Sequence, residues 1–240
     1  MPAVQLGSQT GGAAATGVAV AAGGLTPPSP LTTLLIFTIA LPTAGAVTSI
    51  TFPSGTATTT RLAFTTSGAR ALEIWIAYNF SGGAPTSYTV NFTGGGTAAS
   101  GVSCVWVDSD LSQGAPTATA GTPTSGTSVT ADSGTITPAV GDLVIAATTW
   151  ANNTASTARA STGNTFVNNG ESGSSTTIRT AVAYASATAA NLSRLQWTIT
   201  SAAWLGLIVN LSHFPASPTP VAAFVYKGRD SNTADAGVVA

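Results

Sequence analysis

The chain has 240 residues and a formal net charge of −1, with seven Lys and Arg, eight Asp and Glu, one His and one Cys. Charged residues make up 6 % of it, against roughly 25 % in ordinary soluble domains, while Ala and Thr each occur about forty times. Seven cations build no basic surface for nucleic acid, one cysteine closes no intrachain disulfide, and one histidine leaves little for acid–base or metal chemistry.

Residues 1–25 contain no Lys or Arg and are interrupted by Gly7, Gly11, Gly12 and Gly17, so no secretory leader is expected there. Leu34 to Leu41 is far shorter than the roughly 20 residues that span a bilayer, and Pro42 follows it, so it reads as a buried strand rather than a membrane anchor. In Leu72–Phe80 the apolar residues Leu72, Ile74, Ile76, Tyr78 and Phe80 alternate with Glu73, Trp75 and Asn79, which predicts one core face and one outer face. Ser81–Pro85 reads as a turn into Tyr88–Thr93, so the two strands are expected to form a hairpin. Val102–Val107 is apolar on both faces and predicts a central strand in which Cys104 is a small core residue.

Residues 112–137 are rich in Gly, Ser, Thr and Pro and read as a connection with short β-like pieces around Val129 and Ile136. A second series follows, at Asp142–Trp150, Asn164–Val167, Ile178–Ser186, Arg194–Thr200 and Ala203–His213. Leu34-Leu35-Ile36-Phe37 matches Leu143-Val144-Ile145-Ala146, Ile76-Ala77-Tyr78 matches Val182-Ala183-Tyr184, and Val90-Asn91-Phe92 matches Trp197-Thr198-Ile199, at offsets of 109, 106 and 107. Near-constant offsets point to an internal duplication. The fold class expected is therefore all-β: a β-sandwich, jelly-roll-like or Ig-like, with two pseudo-repeated halves over about 14–111 and 127–213. A single sandwich shared by both halves is preferred, because each half has few large apolar residues of its own. Residues 214–240 are expected to be a Pro-punctuated C-terminal strand and tail.

Candidate sites are few. His213, at a strand end, has no G-x-S-x-G elbow to support a hydrolase reading. Asp108 and Asp110, two apart after a strand, are the weak candidates for a cation, but the oxygens of a full Ca²⁺ site are missing. Gly94-Gly95-Gly96 lacks the Lys of a phosphate loop. No catalytic residue and no cofactor is expected. Trp106, Trp197 and Trp204 sit in strongly apolar strands and read as core. Trp75 and Trp150, opposite the cleanest apolar rows, and Phe224 and Tyr226 of the tail are the interface candidates, since aromatic residues bury large area at low entropic cost.

The Ala/Thr/Gly/Ser dominance, the paired halves, strands such as Gly141-Asp142-Leu143-Val144-Ile145 and the Pro-punctuated arm resemble phage virion accessory proteins, the capsid decoration and minor structural β-sandwich proteins. That resemblance implies a non-enzymatic chain made in the host cytoplasm and carried on the virion surface. Its partners would be capsid or other virion proteins, and it would form a homo-oligomer, a trimer being the count expected. A carbohydrate-binding or adhesive module with Trp75 or Trp150 as its platform is the alternative.

Overall fold

The computed structural model describes residues 4–9, 17–21, 34–41, 45–52, 55–68, 70–81, 85, 87–93, 101–107, 116–152, 154–173 and 178–212. It has no helix in these residues and is 73 % strand, in antiparallel sheets that form an all-β sandwich-like fold. The first half supplies β1 (Val4–Gln9), β2 (Gly17–Ala21), β3 (Leu34–Leu41), β4 (Ala46–Thr51), β5 (Thr58–Ser67), β6 (Arg70–Tyr78), β7 (Ser87–Thr93) and β8 (Gly101–Val107). The second supplies β9 (Thr117–Ala120), β10 (Thr124–Ile136), β11 (Leu143–Trp150), β12 (Ala158–Thr162), β13 (Val167–Gly173), β14 (Arg179–Ser186) and β15 (Ser193–Ser212). Strands β1, β2 and β8 are described as backbone alone.

One pairing scheme occurs twice. In the first half β1 pairs β8, β2 pairs β7, β3 pairs β6, and β5 joins β6, giving the sheets β1-β8-β3-β6-β5 and β2-β7-β4. This is the nesting of a jelly roll, a long hairpin rolled up, except that the fifth strand turns back on the sixth rather than on the fourth. In the second half β9 and the end of β15 take the roles of β1 and β8, β10 and the start of β15 those of β2 and β7, and β11, β12, β13 and β14 those of β3 to β6. Every ladder closes within its own half, so each half rolls up separately rather than lending strands to one shared sandwich.

Three apolar clusters separate four layers. Leu35, Phe37, Ile39 and Leu41 pack against Val47, Ile50, Tyr88, Val90 and Phe92 inside the first half. Val144, Ala146, Trp150, Trp197, Leu195 and Ile208 do the same inside the second. Between the halves, Leu34, Ile36, Leu72, Ile74 and Ile76 meet Leu143, Ile145, Val182, Leu207 and Val209. Residues 34–41 and 143–150 are therefore buried on both faces, which is why they read as continuous apolar runs. Across this seam β1 and β8 lie on β13, and correspondingly β9 and β15 lie on β5, while β8 meets β14 as β15 meets β6. The two halves thus face one another as in an isologous dimer, with the pseudo-two-fold axis running along the strands.

Three expectations need correction. Residues 117–120 and 124–136, within the stretch read as a connection, are the strands β9 and β10. Strand β9 alternates Thr only with Ala, and β10 sets Thr, Gly and Ser against Ser and Thr over residues 124–128, so period two exists there with little apolar contrast. Strands β6 and β7 are not a hairpin but lie in different layers, and β6 instead turns on β5 through Gly68. Gly68 takes φ of 59°, the positive value that a two-residue hairpin turn requires at its first central position. The face of β6 carrying Glu73 and Trp75 is not outer; it turns into the first core.

The match of halves also shifts in register. Leu34 pairs with Tyr78 and Leu143 with Ser186, so an offset of 109 on β3 demands 108 on β6, two more than the sequence match gives. A two-residue slip leaves every side chain on its own face, so the apolar pattern alone does not detect it.

Candidate functional site

The chemically richest group in the first half is built around Glu73. Its carboxylate is fully buried in the middle of β6. Oε1 accepts the backbone N–H of Val47 at 2.8 Å, Oε2 accepts the indole N–H of Trp75 at 2.8 Å, and the Arg61 guanidinium lies 3.6 Å from Oε2. A buried carboxylate needs such partners, because an unpaired charge in a low-dielectric interior is costly. Arg61 in turn lies over the Phe64 ring, 5.0 Å from its centroid. Its side chain is 43 % exposed, and Phe64 is 39 % exposed. Strand β5 is the last strand of its sheet, so Arg61 and Phe64 form a ledge at an open edge, with half-buried Trp75 beside it and Glu73 beneath.

The second half repeats the device with the charges exchanged between strands. Glu171 on β13 accepts the backbone N–H of Ser156 at 3.0 Å and also the Ser156 hydroxyl, and Arg179 on β14 donates to it at 3.0 Å. In both halves a carboxylate on the larger sheet holds a backbone N–H at or near the strand β4 or β12, which belongs to the smaller layer. In both halves an Arg on the neighbouring strand balances it.

The remaining carboxylates of the described residues are also engaged. Asp132 accepts from Arg194, from Gln196 at 3.3 Å and from the Gly134 N–H at 2.9 Å. The hydrogen bond to Asp132 raises the pKa of the Arg194 guanidinium. Asp142 is buried and accepts from the Ala139 N–H and from Asn210 Nδ2, both at 2.8 Å, closing the turn before β11. Asn164 is a buried hub rather than a strand start, bonding Thr188, Ala189, Asn191 and Ser193.

Of the residues singled out in the sequence, Trp75 lies at this ledge, packed against the first core with its indole N–H already committed to Glu73. Trp150 is corrected: it is completely buried in the second core, its N–H donating to the Thr154 carbonyl at 3.0 Å, and it offers no surface to a partner. Its strand is sandwiched between two apolar layers, so the face opposite one core is itself a core. Trp197 and Trp204 are buried, the latter donating to Ser128 at 3.0 Å. The side chains of Cys104 and Trp106 lie outside the described residues, as do Gly94, Asp108, Asp110, His213, Phe224 and Tyr226. Among the described residues no three His, Cys, Asp or Glu side chains gather as a metal site would require. Alternation alone puts Glu73 on an outer face; the signal in the sequence that points to its role is a lone carboxylate within an otherwise apolar strand, two positions from a Trp.

No family model, curated protein or solved structure matches the chain.

Proposed function

We propose that the protein is a non-enzymatic structural component of a phage particle, a decoration or cement protein seated on the outer surface of the shell. The supporting observation is where the charge goes. Glu73, Glu171, Asp132 and Asp142, the four acidic residues of the described part, are each consumed by internal hydrogen bonds and ion pairs. Besides Arg61 and Phe64 on β5 and Arg159 on β12, what the outer strands present is hydroxyl: Thr58, Thr60, Thr66 and Ser67 on β5, Ser125 and Thr127 on β10, Ser161 and Thr162 on β12. Such a surface has little like-charge repulsion between neighbouring molecules, which favours dense, salt-insensitive packing against other proteins. Four layers of sheet with three apolar interiors give the stiffness that cementing a shell needs. On this reading the chain is made in the host cytoplasm and ends on the virion surface.

The test is addition of the purified chain to shells assembled without it, followed by electron microscopy and by heating. Ordered density on the shell exterior and a higher disruption temperature are expected; absence of binding at micromolar protein overturns the reading. Half-buried Trp75, with the exposed Arg61 and Phe64 beside it, supports a second reading as a glycan-binding module. That reading predicts glycan-array binding that falls in Trp75→Ala.

A further inference from the structure

We infer that β5 is a self-complementary docking edge, and that two copies of the chain join there in an antiparallel, two-fold strand pair that makes one continuous sheet across the dimer.

An open strand edge presents a row of unpaired N–H and C=O groups, and natural proteins usually blunt it. Among the described residues β5 pairs with β6 on one side and with nothing on the other. Its counterpart β13 is blunted: a bulge lies between Asn168 and Gly170, Gly170 and Gly173 interrupt it, and Glu171 points inward to Ser156 and Arg179. Strand β5 is longer, at ten residues, and its glycine lies outside it in the turn.

The order of residues along β5 identifies the partner. Thr58-Thr59-Thr60-Arg61-Leu62-Ala63-Phe64-Thr65-Thr66-Ser67 reads nearly the same in kind from either end. Set antiparallel against itself about the Leu62–Ala63 bond, it places Thr58 opposite Ser67, Thr59 opposite Thr66, Thr60 opposite Thr65, Arg61 opposite Phe64 and Leu62 opposite Ala63. Thr–Thr and Thr–Ser are favourable cross-strand pairs. Arg61 already stacks on Phe64 within one copy, so the dimer alternates two guanidinium groups with two rings.

The bulge between Arg61 and Ala63 fixes this register. Thr59, Arg61, Phe64 and Thr66 lie on the face toward the first core, being paired with Ala77, Trp75, Glu73 and Ala71. Thr58, Thr60, Ala63 and Thr65 are paired with Tyr78, Ile76, Ile74 and Leu72 and lie on the face toward the second half, where Leu62 also packs. The face pattern is therefore itself symmetric about Leu62–Ala63. In the stated register every pair shares a face; a shift of one or two residues sets at least one central side chain against a neighbour on the opposite face. Among the described residues the layer beneath does not obstruct the approach. Strand β5 packs on β9 and β15, and the edge there runs through Thr117-Ala118-Thr119-Ala120 into Thr124-Ser125-Gly126, all small residues.

The dimer is a property of the purified chain and does not rest on the particle reading. It is tested by sedimentation of the full-length protein across a concentration series, with three kinds of variant. The native chain is expected to be a dimer. Phe64→Lys sets an ammonium group against Arg61 of the other copy in two symmetric places, and weakens the dimer roughly tenfold or more. Within one copy the introduced ammonium lies across from Glu73 but loses the stack with Arg61, so a native far-ultraviolet circular dichroism spectrum is the check that the variant is folded. The double variant Thr60→Cys with Thr65→Cys is expected to give a covalent dimer on mild oxidation. Its two thiols face across the two-fold at about 5 Å but are roughly 17 Å apart in one chain, so each single variant is expected to stay uncrosslinked. A native chain that sediments as a monomer or a trimer, Phe64→Lys that dimerises like the native chain, or single cysteines that cross-link as well as the pair would each overturn the inference. Should Phe64→Lys fold poorly, the cysteine set decides alone.

Discussion

The two halves use one strand order but tie their layers together differently. In the first half the strands that bridge the small and large sheets are separate elements, β7 and β8. In the second they are a single strand, β15, whose first part pairs β12 and whose last part pairs β11 and β9. Strand β10 makes the same passage beside it, with register breaks between Ser128 and Thr130 and between Asp132 and Thr135 where it crosses from one layer to the other. Strands that switch sheets through bulges close a sandwich edge in covalent chain, whereas loops leave that edge to side chains. The second half therefore depends on backbone fit at its corner, and the first on the polar contacts that clamp its small sheet. One topology thus leaves open which chemistry holds its layers.

The largest effect expected comes from separating the halves. Expressed alone, residues 1–115 would expose Leu34, Ile36, Leu72, Ile74 and Ile76, and residues 116–240 would expose Leu143, Ile145, Val182, Leu207 and Val209. Each half is expected to aggregate or to self-associate through that face, and the two are expected to recover a one-to-one complex when co-expressed. Two soluble, monomeric halves in size-exclusion chromatography would show that the seam contributes little.

Next comes the corner of the second half. A Cβ on Gly206 would overlap the backbone carbonyl oxygen of Asp132, which no side-chain rotation relieves. Gly206→Ala is expected to lose about 3 kcal/mol or more, because β10 must move off β15. Urea unfolding measures it, and a loss under about 1 kcal/mol would mean that the corner yields easily. The matching weak point of the first half is Glu73. Glu73→Ala leaves the Val47 N–H and the Trp75 indole N–H without their acceptor in a dry interior, so about 3 kcal/mol is expected to go. Glu171→Ala, whose partners Ser156 and Arg179 remain nearer to water, is expected to cost about 1 kcal/mol. Equal losses would remove the contrast drawn between the two clamps.

Sequence reading located what depends on apolar contrast and lost what depends on hydroxyls or on long-range geometry. Leu34–Leu41 and Leu143–Trp150 stood out because both faces of each are buried. Strand β10 did not, since residues 124–128 carry small polar residues or Gly on both faces, and Val129 beyond them points outward at 56 % exposure. The link from β6 to β7 looked like a hairpin because a Gly- and Pro-bearing turn joins two strands equally well within one sheet or across two. Trp75 stands out by its position opposite an apolar row, but the reason it matters is its bond to Glu73, and nothing local in the sequence shows that Val47 and Arg61 converge on the same carboxylate. The same alternation rule puts Trp150 on an outer face and fails there, because its strand has an apolar layer on each side.

The smallest effect expected bears on whether the seam between the halves is held by its polar contact or by its apolar ones. Arg70, at the start of β6, donates from a guanidinium nitrogen to the Ala203 carbonyl on β15 at 2.6 Å, a direct hydrogen bond from one half to the other. Burial pushes the pKa of that guanidinium down, so the bond is made against a desolvation cost that offsets much of its gain. The Ala203 carbonyl also accepts the Ala151 N–H at 3.0 Å and so keeps a partner when Arg70 is removed. Arg70→Met keeps the packed stem and drops the charge, and is expected to change stability by less than about 1 kcal/mol. Ile145→Ala, fully buried in the same seam, is expected to lose about 3 kcal/mol. The double variant should lose the sum of the two, because the apolar seam and the Arg70 bond share no partner group. A strong coupling between them, or an Arg70→Met loss as large as that of Ile145→Ala, would instead make the polar bond the element that orients one half on the other.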